Sequence, residues 1–250
     1  MGRLLQPSTS LIGTSAGSCV AAQIATRNRL SDLFDRQVAS TTSEINADID
    51  MREFGRILQE ASQDASSPAQ IRQRIGALAI DADTVPGPVR RAVIEARLAG
   101  SEWPAWPLLI AAVDAVSGGL RAFDRESHTD LINVVAASCA VPMVWPPVEI
   151  QGHVYIDGGI RSAANADLAA GAEQILILVP AAPVSTLGET IPQEQLAALG
   201  AARTHAVYAD ATSVEVMGLN PLDPSTRIPA AHAGREQGRR QAADLDAFWH

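Results

Sequence analysis

Residues 11–25 read LIGTSAGSCVAAQIA. Leu11 and Ile12 form a short apolar run that enters Gly13-Thr14-Ser15-Ala16-Gly17, a G-x-S-x-G pattern. From Ala16 to Ala25, Ala, Val and Ile recur with no breaker beyond Gly17. The order reads strand, sharp turn, helix. A serine at such a turn lies beside the free N–H groups and partial positive charge of a helix N-terminus. The same letters also describe an ordinary strand-to-helix turn that uses glycine for backbone freedom. In 250 residues, three fixed positions of this kind match by chance in about one chain in ten at average Gly and Ser frequencies. The pattern alone therefore does not decide between the two.

Working outward, 250 residues suit one large domain, or one domain with an extension. The 47% hydrophobic and 19% charged content places the chain among globular proteins. With only 4% aromatics and many alanines, an alanine- and valine-rich core with close backbone packing is expected. A net charge of −9 argues against nucleic-acid binding. It leaves a lipid substrate open, because apolar contact can bring lipid in. There is no signal-peptide pattern before Pro7, and no apolar run of about 18 residues that would span a membrane. A cytoplasmic location is expected. Cys19 and Cys139 lack metal-ligand or C-x-x-C spacing and read as buried free thiols. No metal site and no cofactor is expected.

Residues 30–100 read mainly as helix. Ile45, Ile49, Phe54, Ile57 and Leu58 recur at helical intervals across Glu44–Glu60; Pro68 opens a helix toward Ile80, and Pro88 another through Leu98. Leu108–Val113 is a continuous apolar strand, and Ser117-Gly118-Gly119 turns it back into Leu120–Phe123. Residues 129–140 form a helix that ends before Pro142. A second hairpin, Val148–Ile150 with His153–Ile156, delivers Asp157-Gly158-Gly159. A short helix is expected near 165–171. Ile175–Val179 has the fully apolar pattern of a buried strand, and helices are expected over 192–216 and 231–248.

A serine hydroxyl is a poor nucleophile until a base takes its proton. The five histidines are His128, His153, His205, His232 and His250. A Ser–acid–His triad of the α/β-hydrolase type needs several strands before its nucleophile, and only one short strand precedes Ser15. His205 reads as part of a helical, alanine-rich segment and His232 as lying near a helix start; both positions suit surface or capping roles. His153 shares a strand face with Asp157, but four extended residues span about 13 Å, too far for a hydrogen bond. The remaining candidate base is Asp157. A free aspartate has a pKa of about 3.9, low for a general base, so this role requires burial to raise it. The same residue also reads as a plain turn aspartate.

Gly13-Thr14-Ser15-Ala16-Gly17 with its following helix resembles the nucleophile elbow of patatin-like phospholipases. Residues 136–168 are similar to that family's second motif: Ala136-Ala137-Ser138-Cys139-Ala140-Val141-Pro142, Trp145-Pro146-Pro147-Val148, a hairpin, Asp157-Gly158-Gly159, then Asn165 to Leu168. The resemblance covers roughly residues 8–180. It implies an α/β fold of three α/β/α layers around a mixed, largely parallel sheet. It also implies a Ser–Asp dyad without histidine: Ser15 as nucleophile and Asp157 as base. Gly13, Ala16 and Gly17 would form the elbow and oxyanion support, and Gly158 and Gly159 the second motif. The implied activity is metal-free hydrolysis of lipid acyl esters through an acyl-enzyme. Residues 1–180 would form the patatin-like domain and 181–250 a helical extension.

The family also carries a glycine-rich oxyanion loop, on a strand upstream of the elbow. Gly2-Arg3 does not form it, and Gly118-Gly119 fits a hairpin turn, so the first strand of the family's sheet is expected to be missing. Either the chain begins at an internal methionine of a longer protein, or it is a shortened relative that binds lipid or a partner without catalysis. Met1–Ser8 would then be a remnant of the helix between that loop and the elbow. Trp103, Trp106 and Trp145 lie in proline-rich loops, positions that suit a cleft rim, peripheral membrane contact or structural wedging.

Overall fold

The computed structural model describes residues 9–249, apart from 27, 48, 99, 101, 186 and 187. The expectation for Met1–Ser8 lies outside the described residues. The chain forms two compact units, one of Ser10–Asn28 with Ala47–Asn165, the other of Arg29–Asn46 with the chain from Ala166 onward.

In chain order the elements are β1 (Leu11–Thr14), α1 (Ala16–Ala25), α2 (Leu30–Val38), α3 (Met51–Ser62), α4 (Pro68–Asp81) and α5 (Gly87–Leu98). Then come β2 (Leu108–Asp114), β3 (Leu120–Phe123), α6 (Leu131–Ser138), β4 (Val148–Ile150) and β5 (His153–Asp157). The remainder is β6 (Gln174–Val179), β7 (Val184–Ser185), β8 (Gly188–Glu189), α7 (Gln193–Ala198), β9 (Arg203–Tyr208), α8 (Ala211–Met217) and α9 (Arg227–Trp249). Short 3-10 turns lie at Gly158–Ile160 and Ala166–Ala169.

Local chemistry explains most helix starts. Ser67 accepts from the N–H of Gln70 and Pro68 occupies the first turn of α4. Asp130 caps α6 through the N–H of Asn133. Asp50 accepts from the N–H groups of Arg52 and Glu53, which starts α3 at Met51. The helical spacing of Ile45 and Ile49 is therefore not continued upstream of that cap.

The first unit holds a mixed sheet. β1 and β2 run parallel, while β3 and β5 run antiparallel to β2, and β4 pairs with β5. The two expected hairpins are both present, with Gly118-Gly119 in the β2–β3 turn. Alternate residues of β2 face opposite layers. Leu108, Ile110 and Ala112 join α1, α5 and α6 in one buried cluster. Val113 and Ala115 join Leu58 and Ala61 of α3 and Ile75 and Ala79 of α4 in the other. This gives the α/β/α layering. Among the described residues, β1 pairs along one edge only, with β2.

Register decides what meets at the centre of this sheet. β3 covers Ile110–Val113 along one edge of β2. β1 covers Leu108–Ala111 and β5 covers Ala112–Asp114, so both lie on the opposite edge. They run toward each other: Thr14 stands opposite Ala111 and Asp157 opposite Ala112. The ends of β1 and β5 thus abut on a single strand.

In the second unit β6 and β9 form a parallel ladder from Gln174↔Arg203 to Val179↔Tyr208. Residues 203–208 are strand, where the sequence suggested part of a helix over 192–216. Helix is retained there only as α7 and α8. The Arg227 guanidinium, at the start of α9, donates to the carbonyls of Arg36, Gln37 and Ala39, at the end of α2. Among the described residues, no helix is long and apolar enough to cross a membrane.

Candidate active site

Ser15 sits between β1 and α1 with φ 52° and ψ −128°. A non-glycine residue in this region costs about 1–3 kcal/mol and persists only where its surroundings hold it. Three contacts do so. Its N–H donates to Ser138 Oγ at 2.9 Å, and that hydroxyl in turn donates to the Ala111 carbonyl at 2.7 Å. Its carbonyl accepts from the N–H of Ser18 at 2.8 Å and from Ser18 Oγ at 2.6 Å. Gly13 lets α1 fold back onto β1: a Cβ there would lie 2.5 Å from the Ser18 Cα. Gly17 plays no such part, since a Cβ there would meet nothing within 4 Å.

A serine at a helix N-cap usually turns its hydroxyl onto the backbone of the first turn. Ser15 makes no such bond. Its Oγ donates instead to Asp157 Oδ2 at 2.6 Å, across 142 residues of sequence. The other carboxylate oxygen accepts from the N–H of Gly159 at 2.7 Å. The Asp157 N–H donates to the Ala140 carbonyl at 3.0 Å. The segment Ser138-Cys139-Ala140 therefore holds the backbone of both residues. Gly158 must lack a side chain, because a Cβ would come within 2.4 Å of the Ala111 carbonyl oxygen.

Asp157 is 3% exposed. Burial pushes its carboxyl from 3.8 up to about 6, against the opposing pull of the Ser15 hydroxyl, the Gly159 N–H and the Arg90 charge. Arg90, on α5, is itself buried, with its guanidinium 3.9 Å from the centre of the Trp145 ring. Ser15 is half-buried, while Ala16 and Gly17 are exposed. The first turn of α1 thus opens to solvent beside a carboxylate that does not.

The histidines take other partners. His153 Nδ1 meets Asp114 Oδ2 at 2.9 Å, and the histidine is exposed. His205 lies on β9, not on a helix, with its ring 5.3 Å from that of Phe248. His232 lies in α9 with its ring 5.5 Å from that of Phe34. Cys19 and Cys139 are buried and unbridged. Their mutual influence holds the Cys19 thiol below its usual range and the Cys139 thiol above. Among the described residues, no cluster of His, Cys, Asp and Glu could hold a metal ion. The loop tryptophans pack inward: Trp103 and Trp106 against the larger core cluster, Trp145 beneath Arg90.

A protein-family model described as patatin-like phospholipase matches residues 1–170. The chain belongs to this family. Its α/β architecture with a mixed sheet is that of the patatin-like fold, and the family's general activity is hydrolysis of lipid acyl esters. No curated protein matches the chain. The strand-to-helix turn at Ser15 and the Asp-Gly-Gly turn are both readable in the sequence. Ser138 lies inside the second motif, and Arg90 outside both. A serine near the end of an otherwise apolar helix, and an arginine among buried positions of α5, were the available signals for them.

Proposed function

We propose that this chain is a serine hydrolase of lipid acyl esters, with Ser15 as nucleophile and Asp157 as general base. The observation that carries the reading is the 2.6 Å hydrogen bond from Ser15 Oγ to a carboxylate that is almost wholly buried. Ser15 Oγ attacks the ester carbonyl carbon as its proton passes to Asp157 Oδ2. The carbonyl oxygen takes up negative charge beside the N-terminus of α1, where the Ala16 N–H is nearest in sequence. Collapse of the tetrahedral intermediate expels the alcohol, which recovers the proton from Asp157. A water then attacks the acyl-serine as Asp157 accepts its proton, and collapse releases the fatty acid while Asp157 returns that proton to Ser15 Oγ. A carboxyl near 6 is ionised at neutral pH yet basic enough to share the serine proton.

The test is labelling of the intact chain with a fluorophosphonate, followed by identification of the modified residue. Modification of Ser15, lost in Ser15→Ala and strongly slowed in Asp157→Asn, is the expected result. A folded protein that does not react would reject catalysis and leave lipid or partner binding as the function.

A further inference from the structure

We propose that Asn165 is a positioning residue that locks the strand end bearing Ser15 to the strand end bearing Asp157. The proposal rests on the hydrolase reading above. β1 and β5 share no ladder. They meet end-on along β2, and a strand pair that abuts in this way has no hydrogen bonds of its own to fix the gap. Asn165 spans it. Its side chain is 0% exposed. Its Nδ2 donates to Thr14 Oγ1 at 3.1 Å, to the Gly158 carbonyl at 3.1 Å and to the Ser162 carbonyl at 2.9 Å. Thr14 precedes Ser15 and Gly158 follows Asp157, so one carboxamide touches a neighbour of each partner. Its Oδ1 accepts from Arg161 Nη1 at 2.7 Å, and its N–H donates to Ser162 Oγ at 3.2 Å.

The residue type fits the task on two counts. The two hydrogens of Nδ2 are shared among three oxygen acceptors while Oδ1 accepts, and among side chains of this length only a carboxamide supplies both donor and acceptor. The backbone is left-handed at φ 46°, a conformation that asparagine tolerates better than most residues. Aspartate keeps the size and the backbone preference but loses the donors. Glycine keeps the backbone freedom and loses the whole side chain.

Loss of the carboxamide loosens the register of the two strand ends, and with it the Ser15–Asp157 distance. A misplacement of about 1 Å costs on the order of 10²-fold in rate. A looser Ser15 hydrogen bond also removes one of the interactions that lower the Asp157 carboxyl, so the acid limb of the rate profile moves to higher pH. The other groups acting on that carboxyl, the Gly159 N–H and Arg90 on α5, with the Cys139 thiol beside it, are unaltered by Asn165→Gly, on which the midpoint is read; Asn165→Asp adds a carboxylate whose own charge raises the midpoint.

The experiment measures the second-order rate of fluorophosphonate labelling at Ser15 from pH 5 to 9, together with kcat and KM on a short-chain p-nitrophenyl ester. The proteins compared are the wild type, Asn165→Asp, Asn165→Gly and Thr14→Val. Both Asn165 variants are expected to lose about 10- to 100-fold in labelling rate and kcat, with KM little changed and the acid midpoint raised. Thr14→Val, which removes a single acceptor, should lose several-fold and shift in the same direction. It stands in for the Asn165 variants if they do not fold. Unchanged rates and midpoints in folded variants overturn the positioning role while leaving the hydrolase reading intact. A wild type that does not label at Ser15 overturns both.

Discussion

The N–H of Ser15 donates to the hydroxyl of Ser138, 2.9 Å away and 123 residues later in the chain. A strained serine is thus held from below by a second serine, which is itself fixed by the Ala111 carbonyl. Ser138→Ala leaves the Ser15 N–H without an acceptor, a loss of about 1–3 kcal/mol for a buried donor. Chemical denaturation should register that loss. Ester hydrolysis should fall about tenfold with little change in KM, because the substituted group touches the elbow and not the substrate.

The pH dependence follows from the Asp157 carboxyl. Burial is the largest influence on it and raises it to about 6. As a base it must be ionised, so kcat/KM should be level above about pH 7 and decline about tenfold per pH unit well below 6. A profile of kcat/KM against pH on a neutral ester, whose own charge does not change, checks this. A midpoint near 4 would mean that the carboxylate behaves as a solvated one.

Stability should respond to the same group with the opposite sign. The folded-state carboxyl is raised above its unfolded value of 3.8, so the folded protein is penalised wherever the group is ionised. The penalty is present above about pH 6, shrinks as the pH falls, and is gone below about 4. Its full size is about 3 kcal/mol. Asp157→Asn carries no charge and keeps an acceptor for the Gly159 N–H. It should therefore be inactive but more stable than the wild type at pH 8, with the advantage fading toward pH 4 in parallel urea titrations.

The two elbow glycines should separate cleanly. Gly13→Ala places a methyl group 2.5 Å from the Ser18 Cα, backbone that cannot move without shifting α1, and should cost several kcal/mol (about 1–3 or more for overpacking). Gly17→Ala meets nothing within 4 Å on a helical turn, and should raise stability by up to about 1 kcal/mol. Thermal unfolding of the two variants side by side distinguishes them.

His205→Ala and His232→Ala should hydrolyse esters at the wild-type rate, since each ring packs against a phenylalanine, Phe248 or Phe34. A loss of 10³-fold or more in either would replace the dyad with a triad.

Sequence patterns revealed elements whose causes are local. Pro68 with Ser67, the Gly118-Gly119 turn and the apolar run of β2 each announce their structure within a few residues. β9 did not, because Arg203–Tyr208 is half-exposed and set among alanines, and its strand character comes from pairing with β6. The helical interval of Ile45 and Ile49 misled for the converse reason: Asp50 seizes the first N–H groups of α3 and starts the helix there. At the candidate site, Ser15 and Asp157 were marked by their glycines. Ser138 and Asn165 lie in the second motif with no such mark of their task, because the contacts that tie them to β1 and β2 span 27 to 151 places, and Arg90 shows only through the burial of α5. Such contacts exist only once β1 and β5 have docked on β2.

The abutment of β1 and β5 also frees the intervening chain. Because both partners are placed by adjacent residues of one strand, Ala111 and Ala112, and by the Ser138–Ala140 segment, their separation does not depend on the length or course of the rest of the polypeptide between them. Hairpin tips and helical insertions between them can lengthen, shorten or change chemistry while Ser15 Oγ and Asp157 Oδ2 stay in register. In engineering terms, the centre of this sheet is a fixed socket, and the loops around it are interchangeable parts.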